Sequence, residues 1–299
     1  MRKDRLDGSG AVILMAVTLL FALNQIVIKL VNEGLQPVFF AGLRSAIAIG
    51  FVWAWLVWRG RPPRLRREAW GPGIVIGCVF AGEFVCLFIA LDLTTVGQAS
   101  VIFYSMPVWL AIMAHFGQGE RITPVKFAGL LLAFSGAAWA ILDGQAGGEG
   151  SIWGDLCALG AAIGWAGCAY LARRPVMKAE GPEMQLFWMV LVSAPILLVV
   201  SPLFGPVIRD LQPQHIGWLL FQSSVIVGGG FIAWLWLLSA YPAATVASFS
   251  FLTPIFALSL GALVFGETLS PAILGAAILV AGGIILINRP GLQLTESAR

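Results

Sequence analysis

The chain has 299 residues, 59% of them hydrophobic and only 11% charged, with a mean hydropathy of +0.90. A soluble domain carries roughly 25% charged residues, so the composition excludes a soluble fold and points to an all-α integral membrane protein. The net charge of +3 comes from basic residues gathered at particular loops, which leaves no case for a nucleic-acid partner.

In chain order, apolar runs at 11–31, 38–58, 71–90, 96–116, 124–142, 153–172, 184–204, 214–238, 243–265 and 271–288 are each long enough to be a membrane span. Crossing about 30 Å of hydrocarbon takes roughly 20 helical residues. The opening MRKDRLD followed by an apolar run has the look of a signal peptide. The run exceeds the usual signal core and lacks a convincing small-residue cleavage site, so it is read as a retained first span. With the N-terminus inside, every Lys and Arg except Lys29, Arg44 and Arg209 falls at the cytoplasmic side, which places both termini in the cytoplasm.

One stretch occurs twice: PVWLAIMAHFGQGERITP from Pro107 to Pro124 and PIFALSLGALVFGETLSP from Pro254 to Pro271. Each copy sets a Pro inside an apolar run, a Glu (Glu120, Glu267) thirteen residues on, and a second Pro four residues after that. Thr123 and Ser270 stand where an N-cap hydroxyl accepts a backbone N–H, with Pro124 and Pro271 at the first helical position. Pro107 and Pro254 read as helix kinks and gating hinges, since each removes one backbone hydrogen bond. Glu120 and Glu267 fall in turns expected on opposite faces of the membrane, so their value reads as architectural.

The two copies end the fourth and ninth spans, five spans apart, and an odd number of spans per unit turns the second unit upside down. The first spans align as well: GAVILMAVTLLFALNQIVIK from Gly10 with GDLCALGAAIGWAGCAYLAR from Gly154, pairing Phe21 with Trp165 and Lys29 with Arg173. Ten transmembrane helices in two inverted five-helix repeats, 1–148 and 149–299, are therefore expected around a central cavity. Inverted repeats supply two nearly equivalent conformations around a midplane site, a transporter architecture. Cys78, Cys86, Cys157 and Cys168 lie in apolar runs without metal-ligand spacing, and His115 and His215 are isolated, so no metal and no cofactor is expected. No nucleotide-binding glycine loop appears, and no cluster of acids, His or Cys suggests an enzyme.

On these residues the chain resembles the drug/metabolite transporter superfamily, in particular its EamA-type ten-helix exporters. The resemblance rests on the duplicated Pro-to-Glu ends of the fourth and ninth spans, the T-P and S-P helix starts, Gly282 and Gly283 in the last span, and the aromatic in each first span. It is most similar to bacterial inner-membrane exporters of aromatic and other neutral amino acids. The resemblance implies a basket of spans 1–4 and 6–9 around the cavity, with spans 5 and 10 packed together at its edge. The small residues Gly129, Ala133, Gly136 and Ala140 in span 5, and Gly275, Ala276, Gly282 and Gly283 in span 10, suit such close contact.

Ionisable and polar groups inside spans are the candidate substrate-binding residues. Asn24, Arg44 and Glu83 all fall on the order of 10 Å below the outer surface at 1.5 Å per residue, and could meet. Arg44 and Glu83 either neutralise each other to fix packing, or Glu83 engages a substrate amino group or a proton. Ser100 and Tyr104 in span 4, Trp165 in span 6, Trp234 in span 8, and Ser248 and Phe251 in span 9 are the further lining candidates. Gly228, Gly229 and Gly230 in span 8 are either a hinge or a close-packing surface. The partners expected are the lipid bilayer and a small amphiphilic solute, handled by a monomer. Amino-acid export leads; another metabolite or drug transporter of the same superfamily, and a non-transporting scaffold, remain as alternatives. Facilitated diffusion and proton exchange both remain open.

Overall fold

A computed structural model of the chain describes residues 8–118, 122–147, 151–230, 233–234, 236–237 and 252–288. Over these residues the protein is helical, with a single isolated bridge between Leu35 and Ile208. The helices are α1 (Gly8–Gly34), α2 (Pro37–Trp58), α3 (Trp70–Leu93), α4 (Val96–Phe103), α5 (Met106–Gln118), α6 (Pro124–Gly147), α7 (Ile152–Ala172), α8 (Pro175–Glu180), α9 (Pro182–Val200), α10 (Pro213–Phe221), α11 (Leu252–Phe265) and α12 (Pro271–Asn288). Among the described residues seven helical segments are long and apolar enough to cross a membrane, and Leu252–Phe265 and Pro271–Leu286 are shorter apolar helices. A π-helical stretch, Gln222–Gly230, continues α10.

The helices start where the sequence supplies caps. Ser270 Oγ accepts Ile273 N–H at 3.1 Å and Thr123 Oγ1 accepts Lys126 N–H at 3.3 Å, each just before its Pro. Gln36 caps α2 by accepting Phe39 N–H at 2.6 Å. Pro107 does more than kink a helix. Span 4 is broken into α4 and α5 by a turn at Tyr104 and Ser105, and Pro107 is the second residue of the new helix. A proline at 107 cannot donate to the carbonyl at 103, which is where the first half-helix ends. Pro254 is the third residue of α11.

α3 lies at the heart of the bundle, packed on α7 on one side and on α9 and α2 on the other. Glycines set the closeness of these contacts: a Cβ at Gly73 would lie 2.4 Å from Trp188, and one at Gly77 2.4 Å from Val192. Phe80, Phe84 and Phe88, spaced by four on α3, form a continuous aromatic row, and Phe40 of α2 meets Phe88 edge-on at 5.1 Å. The outer surface is apolar, as a lipid solvent requires: Leu203, Phe116 and Leu263 are each more than four-fifths exposed, and Trp53, Trp58 and Trp70 stand out at one end.

α6 and α12 pack on each other along their small residues. A Cβ on Gly136 would sit 2.7 Å from the Ala276 carbonyl oxygen, and one on Gly283 2.5 Å from that of Gly129. Gly282, expected at the same contact, faces open space with nothing within 4 Å. A helix presents only one face to a neighbour, and 283 rather than 282 is on it.

Charges separate to the two ends. Arg59 approaches Glu183 at 3.7 Å and Arg66 approaches Glu180 at 3.6 Å at one end. At the other, Arg209 grips Asp92 through two bonds of 2.6 and 2.8 Å and donates to the Asn32 carbonyl at 2.9 Å. The Asp92 hydrogen bonds hold the Arg209 guanidinium above its already high range.

Candidate functional site

Two of the sequence candidates, Arg44 of α2 and Glu83 of α3, are buried within electrostatic range of each other and without ion-pair contact. Arg44 and Glu83 are buried, at 5% and 2% exposure. Their charges attract each other without a hydrogen bond between them, and Arg44 Nε and Glu83 Oε2 have no hydrogen-bond partner among the described residues. Arg44 lays its guanidinium over the Phe84 ring at 4.2 Å and near the Phe88 ring at 5.7 Å, so aromatic faces carry part of its desolvation. Glu83 is placed by a close approach of α3 to α7: a Cβ at Gly164 would come within 2.8 Å of Glu83 Cβ. Trp165, the next residue, faces Phe80 at 6.3 Å and walls the same region.

An opposite-charge pair left unbonded in a low-dielectric interior is costly, because neither ion recovers its lost hydration. The same arrangement offers a free acceptor and a free donor, flanked by four aromatic rings. Chemically, it can receive a molecule bearing both an ammonium and a carboxylate.

The expected trio does not form. Asn24 is turned to span 8, where its Oδ1 accepts Gln222 Nε2–H at 2.8 Å, while Gln222 Oε1 is unpartnered among the described residues. Ser100 is fully buried, with the Gln25 side-chain oxygen and the Val96 carbonyl both within reach of its hydroxyl. Tyr104 closes α4 at the break of span 4. Trp234 packs edge-on against Phe21 at 5.9 Å. Ser248 and Phe251 lie outside the described residues.

The glycine run divides in the same way. A Cβ at Gly230 would press on Leu20 at 3.0 Å and Phe21 at 3.3 Å, whereas Gly229 has nothing within 4 Å and Gly228 only ordinary contact at 3.9 Å. Packing therefore accounts for Gly230 alone. The π-helical geometry of Gln222–Gly230 shifts the hydrogen bonding by one residue, an irregularity that small residues tolerate.

Two small crevices lie among the described residues, one between α2, α9 and the π-segment around Trp55, Glu183 and Gly228, the other beside the span 4 break, around Ser105 and Trp109.

Several functional-looking residues lay outside the sequence reading. Gln25 and Gln222 are polar residues inside apolar runs, a signal weaker than a charge but of the same kind. Asp155 of α7, fully buried, accepts Thr94 Oγ1–H at 3.1 Å and Gln98 Nε2–H at 2.8 Å. Glu267 is more than turn architecture: its carboxylate accepts Val96 N–H at 2.8 Å and Gly97 N–H at 3.1 Å, and pairs with Lys29 Nζ at 2.9 Å. Glu120, its counterpart, lies outside the described residues. Among the described residues no cluster of His, Cys, Asp or Glu could hold a metal.

The family profile of EamA-like transporters matches this chain twice, over 8–142 and 152–289. The chain is 28% identical to the uncharacterized transporter YvbV of Bacillus subtilis, covering 93% of this chain and 91% of that protein. It is also 28% identical to a probable amino-acid metabolite efflux pump of Salmonella typhimurium, covering 99% of both. A protein of known crystal structure shares the fold, with a TM-score of 0.65 at 22% identity, over 93% of this chain and 97% of that one.

Proposed function

From the premise that this chain belongs to the EamA-like transporter family, we propose that it exports neutral and aromatic amino acids by alternating access. The observation that carries the reading is the buried, mutually unbonded pair of Arg44 and Glu83 beside Phe80, Phe84, Phe88 and Trp165. The Glu83 carboxylate takes the substrate ammonium, the Arg44 guanidinium takes its carboxylate, and the rings take an apolar or aromatic side chain. Binding then repays a desolvation cost that the empty site bears, which favours the occluded loaded state.

The chain works in a bacterial inner membrane with both termini cytoplasmic, as two inverted five-helix units spanning 1–148 and 149–299, and as a monomer. Arg59, Arg66, Arg173 and Arg174 support that orientation by standing at the end that would face the cytoplasm. Asn24, Ser100, Tyr104 and Trp234 line the route. The hinges are the broken span at Pro107, the bend at Pro254, and Gly228 and Gly229, with Gly230 fixed by packing. The similarity to amino-acid metabolite efflux pumps supports this substrate class over others carried in the superfamily.

The test is uptake of labelled phenylalanine, threonine and methionine into proteoliposomes holding the purified protein. Accumulation above protein-free vesicles supports the proposal; none for any of the three removes it and leaves another solute or a scaffold role.

A further inference from the structure

The duplicated motif's second glutamate sits at a junction of three spans. Glu267 follows α11, and its side chain, 8% exposed, reaches the N-terminus of α4. It accepts the Val96 and Gly97 amides there, where unpaired N–H groups and the helix dipole favour an anion. Lys29 of α1 closes the third side, bonding Glu267 Oε1 at 2.9 Å and the Thr94 carbonyl at 3.1 Å. The pocket for the carboxylate is built from absent side chains: a Cβ at Gly261 would lie 2.5 Å from Glu267 Oε2, and Gly97 presents only its backbone.

The element so clamped is a short half-helix of eight residues, with a break at its other end. Beside that break lies the small crevice around Ser105 and Trp109, so packing against the turn is incomplete there. Buried one turn inward from the clamp is Ser100, bonded to Gln25 of α1. Releasing the carboxylate would leave the N-terminal turn of α4 held by the Gln98 bonds to Asp155 and the Ala140 carbonyl, by the Ser100 bond to Gln25 and by lateral packing, and would remove the ion pair that ties α1 to the end of α11.

We propose that Glu267 and Lys29 form the latch that closes this face of the transport route, with α4 as the moving gate. The latch rests on the transport reading in general and is independent of which solute is carried. It explains why a carboxylate stands in this turn: it ties three spans at once, a task beyond an N-cap within one helix. Opening exchanges the amide and ammonium bonds for water, so the open state is costly until substrate or the opposite face offsets it.

The experiment uses the full chain with Cys78, Cys86, Cys157 and Cys168 replaced by Ala and a reporter cysteine in place of Ser100. A membrane-impermeant thiosulfonate is added to spheroplasts and, separately, to inverted vesicles, with no substrate present. Glu267→Gln should raise the labelling rate from one side by about tenfold, the population change that accompanies loss of one charge-assisted hydrogen bond. Lys29→Gln, which keeps the carboxylate and both amide bonds, should raise it on that same side by less. Gly261→Ala, which leaves every charge in place but crowds Oε2, should do as Glu267→Gln does, and carries the test should Glu267→Gln fail to fold. Unchanged labelling from both sides in the folded variants overturns the latch. Because the readout needs no substrate, absence of amino-acid uptake would sink the proposed function and leave this result standing.

Discussion

Gly283 and Gly282 are neighbours in sequence, yet substituting each by Ala should move stability in opposite directions. At Gly283 the new Cβ would lie 2.5 Å from the Gly129 carbonyl oxygen and 2.6 Å from the Ala133 nitrogen. Both are backbone atoms of α6, so no rotamer change can yield. Ordinary contact is about 3.5 Å, so α6 and α12 must part by about 1 Å along a contact that depends on close approach. Overpacking of this kind costs about 1–3 kcal/mol, against about 1 kcal/mol returned by the better helix propensity of Ala. The net loss of up to about 2 kcal/mol corresponds to a fall in Tm of up to about 6 °C. Gly282 has nothing within 4 Å, so its substitution should leave Tm unchanged or raise it slightly. Thermal unfolding of both variants in one detergent, followed by intrinsic tryptophan fluorescence, reads the difference. Equal losses at 282 and 283 would refute the claim that close packing of spans 5 and 10 rests on this particular face.

Further consequences attach to the other end of the bundle and to the glycine run. Asp92→Asn removes the paired acceptor of Arg209; because both side chains are partly solvated, the loss should be about 1 kcal/mol, seen as a small fall in Tm that salt also produces in the parent protein. Gly229→Ala, with open space for its methyl, should hold or raise Tm while slowing transport several-fold, if the π-segment rearranges during the cycle; initial rates in proteoliposomes, normalised to folded protein, measure this. Gly230→Ala should instead lower Tm modestly, through contact with Leu20 and Phe21.

Much of this architecture is legible in one sequence because lipid restricts the vocabulary. Apolar length gives spans, Thr123 and Ser270 before Pro give helix starts, and small residues spaced by three or four give the α6–α12 contact. The burial of Arg44 and Glu83 together follows from their depth, since charges at similar levels on neighbouring spans seek each other. Rotation about a helix axis is harder to read. Asn24 sits one residue from Gln25, yet the first faces Gln222 and the second Ser100, a difference of about 100° that hydropathy does not encode. Gly282 fails for the same reason. The Pro-to-Pro spacing puts Glu267 in a turn, but its role depends on long-range contacts to residues 96, 97 and 29 that no local pattern announces.

The central claim is that Arg44 and Glu83 act on substrate and do more than hold helices together. The most direct measurement is the initial rate of labelled phenylalanine uptake by the double variant Arg44→Gln with Glu83→Gln. Removing both charges avoids stranding either one, so the protein should fold with near-parental Tm, as replacement of buried ion pairs commonly permits. The account predicts that this folded variant loses uptake by at least about tenfold, the effect of one lost charge-assisted contact to substrate. Parental uptake by a folded double variant would contradict it, and would reduce the pair to a packing device.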